Sequence, residues 1–317
     1  MTNVLAVDIG GTRFCVALFD AEGRRLLLSE GGTEPSGGRD WMLREIRERA
    51  QGLIARSEGP LKACGISFGG PVDFRQQQVS SMHVSGWRGF ELAQWMKDSL
   101  SLKCRVDNDA NAGALGEFRY GAGRGTESIL YLTLSTGIGG GLVCRGEVHR
   151  GRDSMAGELG HIPVSDAGAL CSCGGRGCLE TICSGTAIGL RGRGLARRKP
   201  EVLPRTLEFS SGDPEQITAE AVFRAAGEGE RGAQFIVREA ARALARALLT
   251  AIRILNPDKI VLGGGVALAG RVLLDPVHEF LDEFSAPMLE YSTEVVQAEL
   301  GKYSALYGAA ALALELT

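Results

Sequence analysis

Val4-Leu5-Ala6-Val7-Asp8-Ile9-Gly10-Gly11-Thr12 is a short apolar run that ends in an acid and a glycine turn, and a second apolar run, residues 14–20, follows it. Two such runs across Gly-Gly-Thr read as a β-hairpin. The pattern recurs along the chain. Residues 63–68 are strand-like and end at Gly69-Gly70-Pro71. Residues 128–134 are strand-like and end at Ser135-Thr136-Gly137-Ile138-Gly139-Gly140-Gly141, with Leu142-Val143 resuming beyond. Residues 259–262 form a strand entering Gly263-Gly264-Gly265. Helical spacing fills the intervals. Trp41, Leu43, Ile46, Ala50, Leu53 and Ile54 predict an amphipathic helix over 40–57. Val237, Ala240, Leu244, Ala247, Leu248, Ala251 and Leu255 predict a long one over 233–255, stopped by Asn256-Pro257. The Ala/Leu-rich tail from Tyr303 reads as a last helix, and residues 191–216, rich in Arg, Pro, Gly and Ser, as a loop or mobile segment. Alternating strands and helices make an α/β protein.

The composition sets bounds on function. With 317 residues, 44% hydrophobic and 23% charged, the chain has an ordinary globular balance and length enough for two domains. A formal net charge of −3 gives no basic footprint for a nucleic acid. The first residues lead straight into Val4, without a charged region and longer apolar stretch, so no signal peptide is expected. No apolar run approaches the ~18 residues of a membrane span, so the expected location is cytoplasmic, with no membrane partner. Cys15, Cys64, Cys104 and Cys144 stand singly in apolar surroundings and read as reduced core thiols. Cys171, Cys173, Cys178 and Cys183 crowd together and need another explanation.

Glycine turns at strand ends suggest phosphate chemistry. A carboxylate beside such a turn can hold magnesium, directly or through water. Consecutive backbone N–H groups form an anion-binding nest, and Thr hydroxyls add donors. Asp8, Gly10, Gly11 and Thr12 on one side, and Thr136, Gly137, Gly139 and Gly140 on the other, could embrace a triphosphate. Gly264 and Gly265 lie in the third turn. Neither of the first two turns carries the Gly-Lys-Ser/Thr of a Walker A loop. Each alone could equally be a plain hairpin turn; the three together favour phosphate.

Val106-Asp107-Asn108-Asp109-Ala110-Asn111 follows a strand and opens a helix. One Asp or Asn suffices to cap free helix N–H groups. This turn has four acid or amide side chains in five positions, and a kinase needs a carboxylate near the acceptor hydroxyl and amides to orient it. Both readings stand on the residues alone.

The third constellation is the most specific. Glu158-Leu159-Gly160-His161 precedes Cys171-Ser172-Cys173-Gly174-Gly175-Arg176-Gly177-Cys178-Leu179-Glu180. His161, Cys171, Cys173 and Cys178 offer one nitrogen and three sulfurs, the set of a closed tetrahedral structural zinc site. The glycines let the chain wrap between ligands. Core thiols or a disulfide are the competing readings; Cys183 lies beyond the cluster.

These motifs, in this order from Asp8 to the Ala-rich tail, resemble the ROK family of bacterial sugar kinases and sugar-responsive repressors within the actin-like ATPase superfamily. They are Asp-Ile-Gly-Gly-Thr at 8–12, Gly-Gly-Pro-Val-Asp at 69–73, Asn-Asp-Ala-Asn at 108–111, Thr-Gly-Ile-Gly-Gly-Gly at 136–141, Glu-Leu-Gly-His at 158–161, the cysteine loop at 171–180 and Leu-Gly-Gly-Gly-Val at 262–266. The resemblance implies two actin-like (ribonuclease H-like) α/β domains with an active-site cleft between them. The expected division is a small lobe of residues 1–112 with 303–317, and a large lobe of 113–302 carrying the zinc loop and a dimerisation surface. It implies ATP phosphates at 8–12 and 136–141, and adenosine near Gly264 and Gly265. Sugar contacts are implied from Gly70, Asn108, Asp109, Glu158, His161 and Glu180, with Asp109 as general base. His161 would then serve both zinc and sugar.

The implied activity is ATP- and magnesium-dependent phosphorylation of a hexose, with the 6-hydroxyl of glucose as first expectation. N-acetylmannosamine, N-acetylglucosamine, allose, mannose and fructose are alternatives, and a non-catalytic sugar sensor is a further one. The family's repressors carry a helix-turn-helix domain before the first glycine motif, for which Asp8 leaves no room here, so no nucleic-acid partner is expected. A homodimer or homotetramer is. Two features depart from the commoner pattern: Phe68-Gly69-Gly70-Pro71 in place of a Pro-Gly turn, and Ser81-Met82-His83-Val84-Ser85-Gly86-Trp87, where His83 could grip sugar or merely line the surface.

Overall fold

The computed structural model of the chain describes residues 3–81, 84–285 and 291–317. Met82 and His83, singled out above, lie outside them.

Strand β1 (Asn3–Ile9) is buried at every position, and the period of two along a strand sends alternate side chains to opposite faces. Leu5, Val7 and Ile9 join Phe14, Val16, Leu18, Met42 and Ile46 in one apolar cluster. Val4 and Ala6 join Cys15, Ala17, Leu306, Ala309, Ala310 and Ala313 in another. A strand covered on both faces reads as a continuous apolar run, which is why Val4 to Val7 shows no alternation. β2 (Arg13–Phe19) returns antiparallel, with Ile9 opposite Phe14, so the expected hairpin is present. β3 (Arg25–Gly32) pairs antiparallel with the outer side of β2. Helix α1 (Gly38–Ile54) buries Met42, Leu43, Ile46, Ala50 and Leu53 along one stripe, close to the helix expected over 40–57.

β4 (Leu61–Phe68) runs parallel to β1. β5 (Val72–Asp73) and β6 (Gln78–Val79) form a small antiparallel pair. Helix α2 (Leu92–Leu100), β7 (Lys103–Asn108) and helix α3 (Asp109–Tyr120) follow. The first sheet has the order β3-β2-β1-β4-β7. Its parallel strands end together: Ile9 is opposite Phe68, and Phe68 is opposite Asn108. The register thus brings Asp8, the Gly69-Gly70 turn and the Asn108-Asp109 pair to the carboxyl ends of three neighbouring strands. Ligands of open α/β sheets bind at such ends.

The second sheet has the order β10-β9-β8-β11-β12. Its strands are β8 (Ser128–Leu134), β9 (Ile138–Cys144), β10 (Glu147–Val148), β11 (Lys259–Gly263) and β12 (Glu294–Gln297). The helices of this half are α4 (Glu180–Cys183), α5 (Gly185–Arg198), α6 (Pro204–Glu208), α7 (Ala219–Gly227), α8 (Arg231–Leu255) and α9 (Arg271–Phe284), and α10 (Ser304–Leu314) closes the chain. α8 ends where the sequence predicts. Asn256 takes a left-handed conformation (φ +44°) and its N–H reaches Ile252 O, with Pro257 next.

Contacts group the chain into two compact units, residues 1–131, 141–156 and 302–317 in one, 132–140 and 157–301 in the other. In the first unit α10 approaches its neighbours backbone to backbone. A Cβ on Gly308 would lie 1.7 Å from Ala112 O, and one on Gly65 1.8 Å from Ala309 O. The small residues of the tail are therefore a packing requirement. Among the described residues no helix is long and apolar enough to cross a membrane.

Two expectations need correction. Residues 191–216 are largely helical. Ser184 caps α5 by accepting from Ala187 N–H at 3.1 Å. A 3₁₀ turn (Pro200–Val202), α6 and a further 3₁₀ turn (Pro214–Gln216) follow, each opening on a proline where its missing N–H costs nothing. The Gly and Arg residues that suggested a loop serve packing. A Cβ on Gly192 would meet Ile217 at 2.8 Å, Arg193 donates to Ile217 O at 3.0 Å, and Arg197 pairs with Glu215 at 2.7 Å. The glycine run after Leu134 is also less of a turn than it reads: β9 begins at Ile138. Gly140 and Gly141 are strand residues pressed on the backbone of Gly157 and Ala110, where a Cβ would come within 2.1 and 2.4 Å of carbonyl oxygens.

Candidate active site

In the first unit the β1–β2 turn is tied down by its own backbone. Gly10 N–H donates to Arg13 O at 2.9 Å, and Thr33 donates from its hydroxyl to Gly10 O and from its N–H to Thr12 O, each at 2.9 Å. Gly11 and Thr12 are exposed, and among the described residues their N–H groups make no hydrogen bond. Consecutive N–H groups without partners are one requirement of an anion-binding nest. Asp8, near the end of β1, is 9% exposed, with Oδ1 accepting from Ser67 Oγ at 2.8 Å. Burial pushes its carboxyl above the usual carboxylate range; the Ser67 hydrogen bond and the charge of Arg13 oppose the shift.

Asn108 caps α3. Its Oδ1 accepts from Ala110 N–H at 2.9 Å and Asn111 N–H at 3.4 Å, and its Nδ2 donates to Gly70 O at 3.0 Å. An amide has two donors and two acceptor sites, so one N–H of Asn108 is left for a ligand. Capping and ligand contact are therefore compatible, and the cap falls to Asn108 rather than to its neighbour. Asp109 follows as the first residue of α3, with Oδ1 accepting from Ala110 N–H at 2.9 Å. Its Oδ2 lies 3.7 Å from where a Cβ on Gly69 would be, and Gly69 N–H donates to Ile9 O at 2.7 Å. The carboxylate and the first glycine turn are thus neighbours across a residue without a side chain.

Asp107 and Arg150 are the pair that sequence reasoning missed. Asp107 is 2% exposed; Arg150 reaches its Oδ2 with Nε at 2.8 Å and Nη2 at 2.7 Å. Oδ1 accepts from Asn108 N–H at 2.8 Å and Asn111 Nδ2 at 3.1 Å. The guanidinium also stacks on Phe74 at 3.5 Å. This buried group braces the strand end that presents Asn108 and Asp109. The acid stood within the quoted motif, but nothing in the sequence linked it to an arginine so far along the chain.

In the second unit the four expected metal ligands come together. His161 Nδ1 lies 3.4 Å from Cys171 Sγ, Cys173 Sγ lies 3.6 Å from Cys178 Sγ, and all four ligand atoms fall within 4.8 Å of one another. Zinc–sulfur bonds of about 2.3 Å place tetrahedral ligand atoms about 3.8 Å apart, so a zinc ion fits this set. Gly174 and Gly177 take φ of +89° and +66°, and a Cβ on Gly177 would lie 1.7 Å from Ser165 O. The ring's other nitrogen, Nε2, lies 3.9 Å from Glu158 Oε2. Burial and the charge of Glu180 hold the Glu158 carboxyl above its usual range, against the effect of His161. Glu180 itself accepts from Ile138 N–H with Oε2 at 2.8 Å.

Thr136 is exposed in the turn closed by Ser135 N–H to Gly137 O at 2.9 Å. Gly264 (φ +83°) lies against Leu134, its Cβ position 2.4 Å from Leu134 O, and Gly265 is exposed beside it. Thr136 and Gly265 line one cavity of about 980 Å³ together with Thr186, Arg193, Glu220 and Phe223. None of the last four was anticipated; Arg193 fell in the stretch read as a loop, and no motif marked Thr186, Glu220 or Phe223. A second cavity of about 780 Å³, beside Pro163, Arg246 and Phe284, contains none of the predicted residues.

Comparison with known proteins shows the family. The sequence profile of the ROK family matches residues 4–316. A glucokinase of Thermotoga maritima is 36% identical over 315 residues, 99% of this chain and 98% of that one. An N-acetylmannosamine kinase of Salmonella newport is 30% identical over 98% of both chains. The crystal structure of a ROK family glucokinase from Streptomyces griseus, in complex with glucose and AMPPNP, superposes with a TM-score of 0.85 at 32% identity, over 99% of each chain. Register, turns and cysteine cluster, together with a match over nearly the whole length, place this chain in the ROK family.

Proposed function

We infer that this chain is an ATP-dependent sugar kinase whose substrate is a hexose, with the 6-hydroxyl of glucose as acceptor. The relatives named glucokinases and the S. griseus enzyme holding glucose and AMPPNP support the activity and both substrates. The observation that carries the reading lies in the first unit: Asp109 Oδ2 sits beside Gly69, which is bonded to the end of β1, next to the open N–H groups of Gly11 and Thr12. A base and a phosphate nest side by side are what transfer from a nucleotide to a hydroxyl needs.

Phosphoryl transfer has a loose transition state, so positioning and charge stabilisation dominate. Asp109 accepts the proton of the attacking hydroxyl. Asn108 gives its remaining N–H to a sugar oxygen, and the Gly70 backbone, already bonded to Asn108, completes that edge. Gly10, Gly11 and Thr12 hold phosphate oxygens from one turn, Thr136 and Gly137 from the other; Gly139 and Gly140, expected beside them, lie within β9. The cavity beside Gly264 and Gly265 takes adenosine, with Phe223 as an apolar wall. Asp8 suits a magnesium–water cluster, since burial disfavours its charge and Oδ2 takes no hydrogen bond among the described residues; magnesium, when bound, neutralises phosphate charge. His161, Cys171, Cys173 and Cys178 suit a structural zinc, which cross-links the loop and leaves no open position. His161 Nδ1 faces that set, so Nε2 is left to donate to sugar beside Glu158 and Glu180. The lobes of residues 1–112 with 303–317 and of 113–302 remain part of the proposal; the observed units group 113–131 and 141–156 with the first.

Asp109→Asn tests the base. Loss of a general base costs about 10² to 10⁴ in rate, so the variant should fold, bind sugar and lose that much sugar-dependent ADP release. Turnover near that of the unaltered protein would refute the assignment.

A further inference from the structure

Glu180, an implied sugar contact, also bonds to backbone. Its Oε2 accepts Ile138 N–H at 2.8 Å, and a Cβ on Gly137 would lie 2.6 Å from the same oxygen. Gly137 does not have a left-handed φ. What a side chain there would displace is the Glu180 carboxylate; the backbone conformation itself would accept one. The opposite side of Ile138 is held too: a Cβ on Gly160 would lie 2.2 Å from Ile138 O. Leu179 N–H to Ile162 O at 3.0 Å joins the two segments that grip Ile138, and each carries ligands of the His/Cys cluster. The turn before Ile138 is otherwise closed by Ser135 N–H to Gly137 O and anchored by Gly185 N–H to Ser135 O at 2.7 Å.

We propose that Glu180 is a positioning residue for the Ser135–Gly137 turn, holding it in shape for nucleotide phosphates through the bond of its Oε2 to Ile138 N–H. This rests on the reading of that turn as a phosphate site. The carboxylate acts on the nucleotide through Ile138 and does not touch it. A role in sugar binding alone predicts no effect on nucleotide affinity when sugar is absent.

The test is the Kd of AMPPNP with magnesium and no sugar, alongside zinc content to verify the cluster. A hydrogen bond from N–H to a carboxylate contributes about a factor of ten or more to an equilibrium, so Glu180→Ala should raise the Kd about tenfold. Glu180→Gln keeps an acceptor oxygen of the same reach. It should hold the nucleotide within about threefold, while losing sugar affinity with the charge. Gly137→Ala gives an approach that leaves the cluster segment untouched: it should weaken AMPPNP in the native background and add nothing in Glu180→Ala, where the clashing oxygen is gone. Equal losses in both backgrounds would overturn the proposal. An unchanged Kd in Glu180→Ala, with a raised Kd in Thr136→Ala, would overturn it alone. An unchanged Kd in both would overturn the phosphate reading of the turn, and the proposal with it.

Discussion

Replacing Arg150 by Met should unbrace the strand end that carries Asn108 and Asp109. The side chain keeps most of its apolar stem but loses the guanidinium that reaches Asp107 at 2.7 and 2.8 Å. Asp107 is 2% exposed, and burial already pushes its carboxyl upward, with Arg150 the largest influence holding it down. Stranding one member of a buried ion pair costs about 3–5 kcal/mol. Oδ1 keeps its bonds from Asn108 N–H and Asn111 Nδ2, which argues for the lower end, about 3 kcal/mol.

The assay is urea unfolding of both proteins from pH 4 to 8. Without its partner, Asp107 takes up a proton more readily when folded than when unfolded. Stability lost by the variant is therefore smallest at low pH and grows as pH rises through the raised folded value. A second substitution, Asp107→Asn, removes the stranded charge and should recover most of the loss at pH 7. A cost below about 1 kcal/mol, the worth of an exposed pair, would refute the reasoning. So would a loss that does not depend on pH, or a double variant weaker than the single one.

Asp8→Asn should raise the melting temperature at pH 7, because burial disfavours the charge; the gain should vanish as pH falls and native Asp8 protonates, and sugar-dependent ADP release should be lost. A fall in melting temperature at pH 7 would contradict the desolvation account. Gly308→Ala should cost about 3 kcal/mol or more by denaturant unfolding, since its Cβ would lie 1.7 Å from Ala112 O and neither backbone can yield cheaply; a change within ~0.5 kcal/mol would show that α10 can shift freely. Metal analysis should find one zinc per chain, and chelation should raise hydrogen exchange over residues 158–180 first; a well-folded protein without zinc would contradict the site.

What could be read from the sequence follows the range of the interactions. The β1–β2 hairpin, α8 with its Asn256-Pro257 stop, and the grouping of His161 with Cys171, Cys173 and Cys178 are written in nearby residues; the hairpin and the helix stop stand in the structure, and the four side chains come together in it. Asn108 as a cap was legible for the same reason. The Asp107–Arg150 pair and the Glu180–Ile138 bond join distant segments, and no local pattern announces either. Residues 191–216 misled because glycine and arginine have two uses. Gly192 is small so that Ile217 can approach, and Arg193 and Arg197 satisfy Ile217 O and Glu215. The same ambiguity made Gly140 and Gly141 look like turn residues when they admit backbone against a strand. In each case glycine signalled close approach, and only the fold could say of what.

The most direct measurement is ADP release by the zinc-loaded protein with ATP and magnesium, across glucose, mannose, fructose, allose, N-acetylglucosamine and N-acetylmannosamine, with the phosphorylated position read by NMR. The account predicts release that depends on a hexose, is greatest with glucose and yields the 6-phosphate. Folded, zinc-loaded protein that releases no ADP with any of these sugars would contradict it.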